Sequence, residues 1–498
     1  MLKTKDLKFF FTLALFISVS KTILGQANPV IEKRIVLNAG ARFQTIDGFG
    51  ANVNPAEWRD GSMKPALDSI VKGLGCTLIR FDCFGFANWL DPKMQLPDGS
   101  FPKDYLKKVY TSLPFKNAWA AFHYLNELGV EPIFNISGAV PYAWTTINPV
   151  PRAWTVLPGS SHDRLQNFDA YATMVATMLK WAREEEGLKF NAVMPFNETD
   201  LGFPEGPRLL DEDCAPAFDA VVKKLEAYGL GDLMFVIMDD SDAKAERIKM
   251  LLKQTKYAHK IKAIGLHTYG SGEGERREVR KMMDSTGFAN VPTWLTEYGD
   301  LDQTGEIEFE VGWRMTQRLI AAMNNNITAA MAWDAFDNFH KHDTAFALYG
   351  LLKTDTTRWL YSAKSRYYAV KQVYKFVLPG FQRIQIETPD DKPSHIYNEW
   401  KNTLRNMPLA AFTSPDGNHI TLIGMNATEK NVSLHINFKD FGANLNSTLA
   451  VYITNTTTNC KKMTTAVFKN KSVSVLIPAH TIFTATTVSH KSINAWKK

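Results

Sequence analysis

Between Leu78 and Trp333 the chain repeats one pattern: a short apolar run of strand length, then a longer stretch with helical spacing. The runs are Leu78 to Phe81, Ile133 to Ile136, Val193 to Phe196, Met234 to Met238, Ile264 to His267, Thr293 to Thr296 and Ala329 to Trp333. Continuous apolarity without a polar alternate marks strands buried on both faces, as in a parallel sheet. A turn region from Phe43 to Gly50 precedes them and brings the expected strands to eight. Between the runs, Ala118, Ala121, Phe122 and Leu125 recur at helical spacing and end at Gly129. Phe168, Tyr171, Val175, Met178, Leu179 and Ala182 do the same and end at Gly187, a residue suited to stopping a helix. Strands alternating with helices predict an α/β fold, and eight of them predict closure into a (β/α)8 TIM barrel. The competing doubly wound sheet binds its ligand on a glycine-rich turn after the first strand. Gly48-Phe49-Gly50 lacks the third glycine of that turn.

After about Pro379 the period changes. Val432, Leu434, Ile436 and Phe438 alternate strictly, as do Val473, Val475 and Ile477, which predicts a small antiparallel β-sandwich. Ile31 to Leu37 alternates weakly and is expected to be a strand lent to that domain. The expected division is residues 1–25 as a signal peptide, 26–42 as the joining strand, 43–375 as the barrel and 376–490 as the β domain.

The leader reading rests on Lys3, Lys5 and Lys8, the apolar run Phe9 to Val19 and the small and polar residues around Gly25, a pattern for cleavable export and too short for a stable span. The expected location is therefore periplasmic or extracellular. Cleavage after Gly25 removes four lysines and Asp6 and takes the formal charge from +6 to +3, too small a surplus to argue for nucleic acid. No later stretch suits a membrane span, and a monomer is expected. Cys76, Cys83, Cys214 and Cys460 contain no CxxC pair, so no zinc site is expected; a local Cys76–Cys83 disulfide is conceivable.

Two apolar runs end in a carboxylate: Val193 to Glu198 through Asn197, and Val291 to Glu297. Chemistry in such barrels sits where strands stop. One carboxyl near a leaving oxygen and a second below a sugar ring are what hydrolysis of a β-glycoside requires, with no cofactor or metal. Glu198 and Glu297 are the candidate catalytic pair. Arg80 and Tyr269 are candidate partners for Glu297, His267 for Glu297 or substrate, and Asn197 for a sugar hydroxyl. Trp89, Trp144 and Trp333 offer flat faces on which a pyranose stacks. Other motifs carry less. Gly270 to Gly274 lacks the lysine of a phosphate loop, Lys341 opposes a cation held by His340, His342 and Asp343, and the contiguous Ser161-His162-Asp163 is no folded triad.

These residues resemble glycoside hydrolase family 30, a group of retaining β-glycosidases. The motifs are Ile46-Asp47-Gly48-Phe49-Gly50, Asn197-Glu198, His267-Thr268-Tyr269-Gly270, Thr296-Glu297 and the segment from Tyr367 to Ile384. The resemblance implies an acid/base ending the fourth barrel strand, here Glu198, and a nucleophile ending the seventh, here Glu297. Asn54 to Trp58 and Asn88-Trp89 lean toward the xylanase-like branch, which usually carries proline where this chain has Thr199. The expected substrate is a polysaccharide or oligosaccharide, with endo-action on xylan first. A β-1,6-linked glucan or galactan, release of terminal sugars, and a non-catalytic carbohydrate-binding protein are the alternatives. Intact Glu198 and Glu297 argue against the last.

Overall fold

The computed structural model describes residues 30–82, 89–138, 140, 164–202, 205–242, 244–269, 272–301, 307–340, 345–388, 407–442, 445, 448–468 and 471–489. After β1 (Ile31–Thr45), the strands β2 (Gly48–Val53), β3 (Leu78–Asp82), β4 (Ile133–Asn135), β5 (Ala192–Met194), β6 (Met234–Asp240), β7 (Ile261–His267), β8 (Thr293–Tyr298) and β9 (Ala329–Ala332) close into a parallel barrel. Each expected strand is present; seven have ends shifted by up to three residues, and β2 begins inside the expected Phe43 to Gly50 region and runs on to Val53. The α-helices among the described residues are α1 (Lys64–Asp68), α2 (Lys103–Tyr110), α3 (Leu113–Glu127), α4 (Phe168–Glu184), α5 (Cys214–Ala227), α6 (Ala245–Gln254), α7 (Glu273–Ser285), α8 (Glu308–Asn324) and α9 (Ser365–Tyr374). The apolar positions expected on α3 and α4 are buried, apart from a partly buried Phe168. Gly187, just past α4, has φ +65°, the left-handed conformation that glycine adopts without penalty.

Alternation along the barrel strands sorts side chains between two cores. Outward residues such as Ile79, Phe81, Val193, Ile264 and Leu295 pack against the helices. Inward residues Ile133, Ala192, Met194, Val236, Ala263, Trp294, Ala329 and Met331 fill the barrel. Trp294 is the bulkiest of these, beside three alanines, and its indole N–H donates to Asp47 at 2.7 Å. That plug closes the lower end, so the inward positions one or two steps further along each strand form a polar mouth.

Beyond β9 lie two rim hairpins, β10 (Asn338–His340) with β11 (Ala345–Ala347), and β12 (Leu352–Asp355) with β13 (Leu360–Ala363). The remaining strands are β14 (Gln382–Glu387), β15 (Leu409–Thr413), β16 (Ile420–Asn426), β17 (Val432–Lys439), β18 (Thr448–Asn455), β19 (Thr458–Val467), β20 (Ser472–Ile477) and β21 (Thr481–Thr486). They join β1 in one nine-stranded sheet, ordered β19-β18-β21-β16-β15-β14-β1-β17-β20. The sandwich is thus one sheet bent around its own core, because residues from β1 and from β14 through β21 share one apolar cluster. β1 does tie the two parts together, pairing antiparallel with β14 and, as the one departure from the expected pattern, parallel with β17.

Strict alternation appears where one face meets solvent, as on β17 and β20. It fails on β16 and β21, which are buried at every position. There Leu422 and Phe483 face the sheet's own core, whereas Ile423, Met425 and Ile482 join the barrel's. Polar contacts finish the seam. Buried Gln372 on α9 donates to Thr454 at 2.8 Å and accepts from Thr484 at 2.7 Å, and Trp313 stacks on His480 with centroids 4.5 Å apart.

No helix among the described residues is long and apolar enough to cross a membrane. A version of the chain ending near Pro379 would bare the apolar surface of α8 and α9 and lose both partners of Gln372. We expect it to be insoluble or to melt far below the intact protein, as measured by soluble yield and thermal unfolding; a soluble truncation with unchanged melting would contradict the seam.

Candidate active site

The mouth is organised by Arg80, inward-facing on β3 and fully buried. Its guanidinium bonds the Asn52 side-chain oxygen on β2 at 2.6 Å, Asn197 at 2.5 Å, Asp239 on β6 at 2.7 Å and Glu297 on β8 at 2.7 Å. Burial opposes its charge, but Asp239 and Glu297 outweigh that and push its pKa up. Asn52 is fixed in turn by donating to the carbonyls of Thr296 and Ala332, each at 3.2 Å.

Two irregularities turn the carboxylates inward. On β8 the register with β7 slips between Leu266 and His267, so His267 pairs with Glu297 and not with its neighbour. A β-bulge re-aims the side chains that follow it, and Glu297 joins the same mouth as Trp294 despite the opposite parity. On β6 the register slips between Met238 and Asp240, and both Met238 and Asp239 have positive φ. Asp239 then faces Arg80, whereas Asp240 faces outward to Arg247 on α6 at 2.9 Å. Burial pushes Asp240 up to about 7, with Arg247 pulling the other way.

Glu198 follows β5 in the left-handed region, at φ +42°. The approach to it is braced from α4, where the Tyr171 hydroxyl donates to the Pro195 carbonyl at 2.5 Å and its ring stacks on Phe196. Gly206 is required close by: a Cβ there would lie 2.1 Å from the Asn197 carbonyl oxygen. The Asn197 amide donates to the Glu205 carbonyl at 3.0 Å.

His267, inward by parity on β7, joins the pair. Its Nδ1 lies 2.7 Å from Glu198 and 3.6 Å from Glu297, and its Nε2 lies 3.3 Å from Asp239. Burial works against a charged imidazole, but Glu297 and Asp239 together raise its pKa well above the ordinary value. Burial lifts Glu297 to about 7, while His267 and Arg80 pull it down. Glu198, His267 and Glu297 bring ligand-capable atoms within 4.8 Å of one another. A guanidinium already sits on one of these carboxylates and the imidazole is held protonated, so the cluster's charge is met from within.

The other expected residues are placed less uniformly. The Tyr269 ring stands edge-on to His267 at 6.2 Å, and its hydroxyl is buried without a hydrogen-bond partner among the described residues. Burial and the nearby carboxylates Glu297 and Glu198 keep that phenol protonated. Trp333 follows β9, half-buried at the rim. Trp89 is tied to the helices instead: its indole N–H faces the Tyr110 hydroxyl at 3.3 Å and its ring meets Phe115 edge-on. Trp144, Cys83, His342, Asp343 and Ser161 to Asp163 lie outside the described residues. Asn52, Asp239 and Glu205 also belong to this cluster and were not singled out from the sequence. Met234 to Asp240 is an apolar run ending in carboxylates, the same signal that singled out Glu198 and Glu297. Glu205, on the loop after Glu198, has a carboxyl pushed well up by burial and by Glu198 and Glu297.

Residues 143–347 match the family model of the glycosyl hydrolase catalytic core. A family 30 endoxylanase from Clostridium papyrosolvens C71 is structurally similar, with a TM-score of 0.67 at 16% identity over 92% of this chain and 100% of that one. So is an endo-β1,6-glucanase, with a TM-score of 0.63 at 15% identity over 91% and 93%. A conserved exported protein from Bacteroides fragilis gives 0.64 at 17% identity over 91% and 100%. No curated relative matches the sequence. Residues 143–347 thus resemble a glycosyl hydrolase catalytic core, and the chain shares the fold of the family 30 endoxylanase.

Removing Arg80 would strand Asp239 and Glu297 without their nearest cation. Arg80→Met should cost about 3–5 kcal/mol, the usual effect of breaking a buried pair from one side, and adding Asp239→Asn should restore part of it. Urea unfolding measures both; equal stabilities for wild type and Arg80→Met would refute the charge balance described.

Proposed function

We propose that this chain is a retaining β-glycoside hydrolase in which Glu297 is the nucleophile and Glu198 the general acid and base. The observation that carries the reading is the closeness of the two carboxylates, whose facing oxygens lie within 4.8 Å. Retaining enzymes keep their carboxyl groups about 5–5.5 Å apart, whereas inverting ones leave roughly 6.5–9.5 Å for a water.

The surroundings suit these roles. Arg80 and protonated His267 favour the anion of Glu297, which attacks the anomeric carbon and forms a glycosyl ester. Glu198 shares the Nδ1 proton of His267 across 2.7 Å and protonates the departing oxygen. Glu198, left as a carboxylate by that transfer, then takes a proton from the incoming water, which attacks the anomeric carbon and releases Glu297. Asn197 uses its oxygen on Arg80 and one N–H on the Glu205 carbonyl, which leaves the second N–H for the sugar 2-hydroxyl. The buried Tyr269 hydroxyl is a further donor.

Xylan is the first substrate class, supported by the Asn54 to Trp58 and Asn88-Trp89 motifs and by likeness to xylanases. A β-1,6-linked glucan is the second, supported by likeness to a β1,6-glucanase, while Thr199 in place of the xylanase-like proline counts against xylan. The leader supports export. A polysaccharide panel with products resolved by size distinguishes these readings.

These roles have measurable consequences. Glu297→Gln should abolish activity on every substrate. Glu198→Ala should lose on the order of 10²–10⁴-fold on substrates with a poor leaving group, keep its first step on an activated aryl glycoside, and yield a β-glycosyl azide when azide is added; an inverted first product from the wild type would sink the retaining mechanism. The acid limb of kcat/KM should lie above the ordinary carboxylate range, toward the value of about 7 reached by Glu297. His267→Gln removes a cation that favours the Glu297 anion, so it should move that limb to higher pH; a downward shift would contradict the assignment. Exhaustive chelation should leave turnover unchanged, and a loss reversed by one divalent ion would overturn the two-carboxylate reading.

A further inference from the structure

We infer that Thr199, Asp240 and Arg247 form a clamp, outside the sugar site, that positions Glu198 for proton transfer to the leaving group. The inference rests on the reading of Glu198 as the acid and base. Glu198 holds a left-handed backbone at φ +42°, a conformation that is strained in a residue with a Cβ and persists only where neighbours enforce it. No glycine relieves it.

The enforcement comes from the end of β6. The Glu198 amide donates to the Asp239 carbonyl at 2.8 Å. The next residue, Thr199, donates its hydroxyl to Asp240 at 3.0 Å. Asp200 then accepts from the Ser241 amide at 3.1 Å, the Ser241 hydroxyl at 2.8 Å and the Asp242 amide at 3.0 Å. Residues 198–200 are thus stitched to residues 239–242 beyond the last ladder bond between β5 and β6. Arg247 locks the stitch from α6, donating to the Thr199 hydroxyl at 2.7 Å, to Asp240 at 2.9 Å, to the Leu209 carbonyl at 3.2 Å and to Asp211 at 2.8 Å.

Thr199, Asp240 and Arg247 are all buried. A buried ion pair is weak as a source of stability, since apolar side chains of similar size often do as well. What this one supplies is direction. Asp239 and Asp240 are adjacent, one turned in to Arg80 and His267 and the other turned out to Thr199, so the strand end that orients the charged partners of the catalytic pair also fixes the backbone of Glu198. A proline at position 199 would carry no hydroxyl and could not join Asp240 to Arg247.

Thr199→Val removes the hydroxyl at nearly constant volume. Displacing a catalytic group by about 1 Å can cost on the order of 10²-fold, and only steps that need the proton would feel it. The expected result is a kcat/KM loss of about 10–10²-fold on glycosides with poor leaving groups, a far smaller loss on an activated aryl glycoside, and recovery in Thr199→Ser. Thr199→Ala serves the same purpose should the valine variant not fold. Equal losses on both substrates, or no loss on either, would overturn the clamp. Glu198→Ala is measured alongside: if it lacks the leaving-group split, the acid assignment fails, whereas a split there without one at Thr199 removes only the clamp.

Discussion

A guanidinium without access to water has to be neutralised where it stands, and in this barrel that requirement falls on Arg80. Four groups from four parts of the chain meet it: Asn52, Asn197, Asp239 and Glu297. Leaving one of them out would strand a charge or a donor in a low-dielectric interior. The same contacts place Glu297 and Asn197 relative to each other, so charge balance and the geometry of the mouth are one constraint. His267 adds the second cation and reaches Glu198, Glu297 and Asp239 together.

That polar cluster can exist because the barrel is plugged beneath it. Trp294, surrounded by alanines and anchored to Asp47, fills the interior and leaves the mouth as the level where inward side chains can be polar. Regular strands would not deliver all the required groups there. Slips in the β7–β8 and β6–β7 registers turn Glu297 and Asp239 inward. Glu198 reaches the mouth only through a strained backbone, which the contacts from β6 and α6 sustain.

The β domain acts at a distance, as cover. Strands β15, β16 and β21 present one face to the core of their own sheet and the other to the barrel. Gln372, Thr421, Thr454 and Thr484 satisfy one another or backbone carbonyls in the seam. β1 passes from the sheet into the barrel, so the sheet is fastened to both ends of the barrel.

The barrel was legible in the sequence because strands buried on both faces leave continuous apolar runs, and because a carboxylate closing such a run stands out locally. Those two facts sufficed to single out Glu198 and Glu297, with His267 and Arg80 following from their positions at strand ends. The same rule extended to Met234 through Asp240 would have found Asp239. Other features had no local signature. Trp89 meets Tyr110 and Phe115 on helices, which no spacing foretells. The bulge that turns Glu297 inward reflects pairing with β7, and the clamp on Thr199 joins residues 41 and 48 positions apart. Periodicity records which face of an element is buried, because that depends on the element alone. Which charges converge, and in what orientation, depends on the registers of separate strands, and only closure of the barrel decides those.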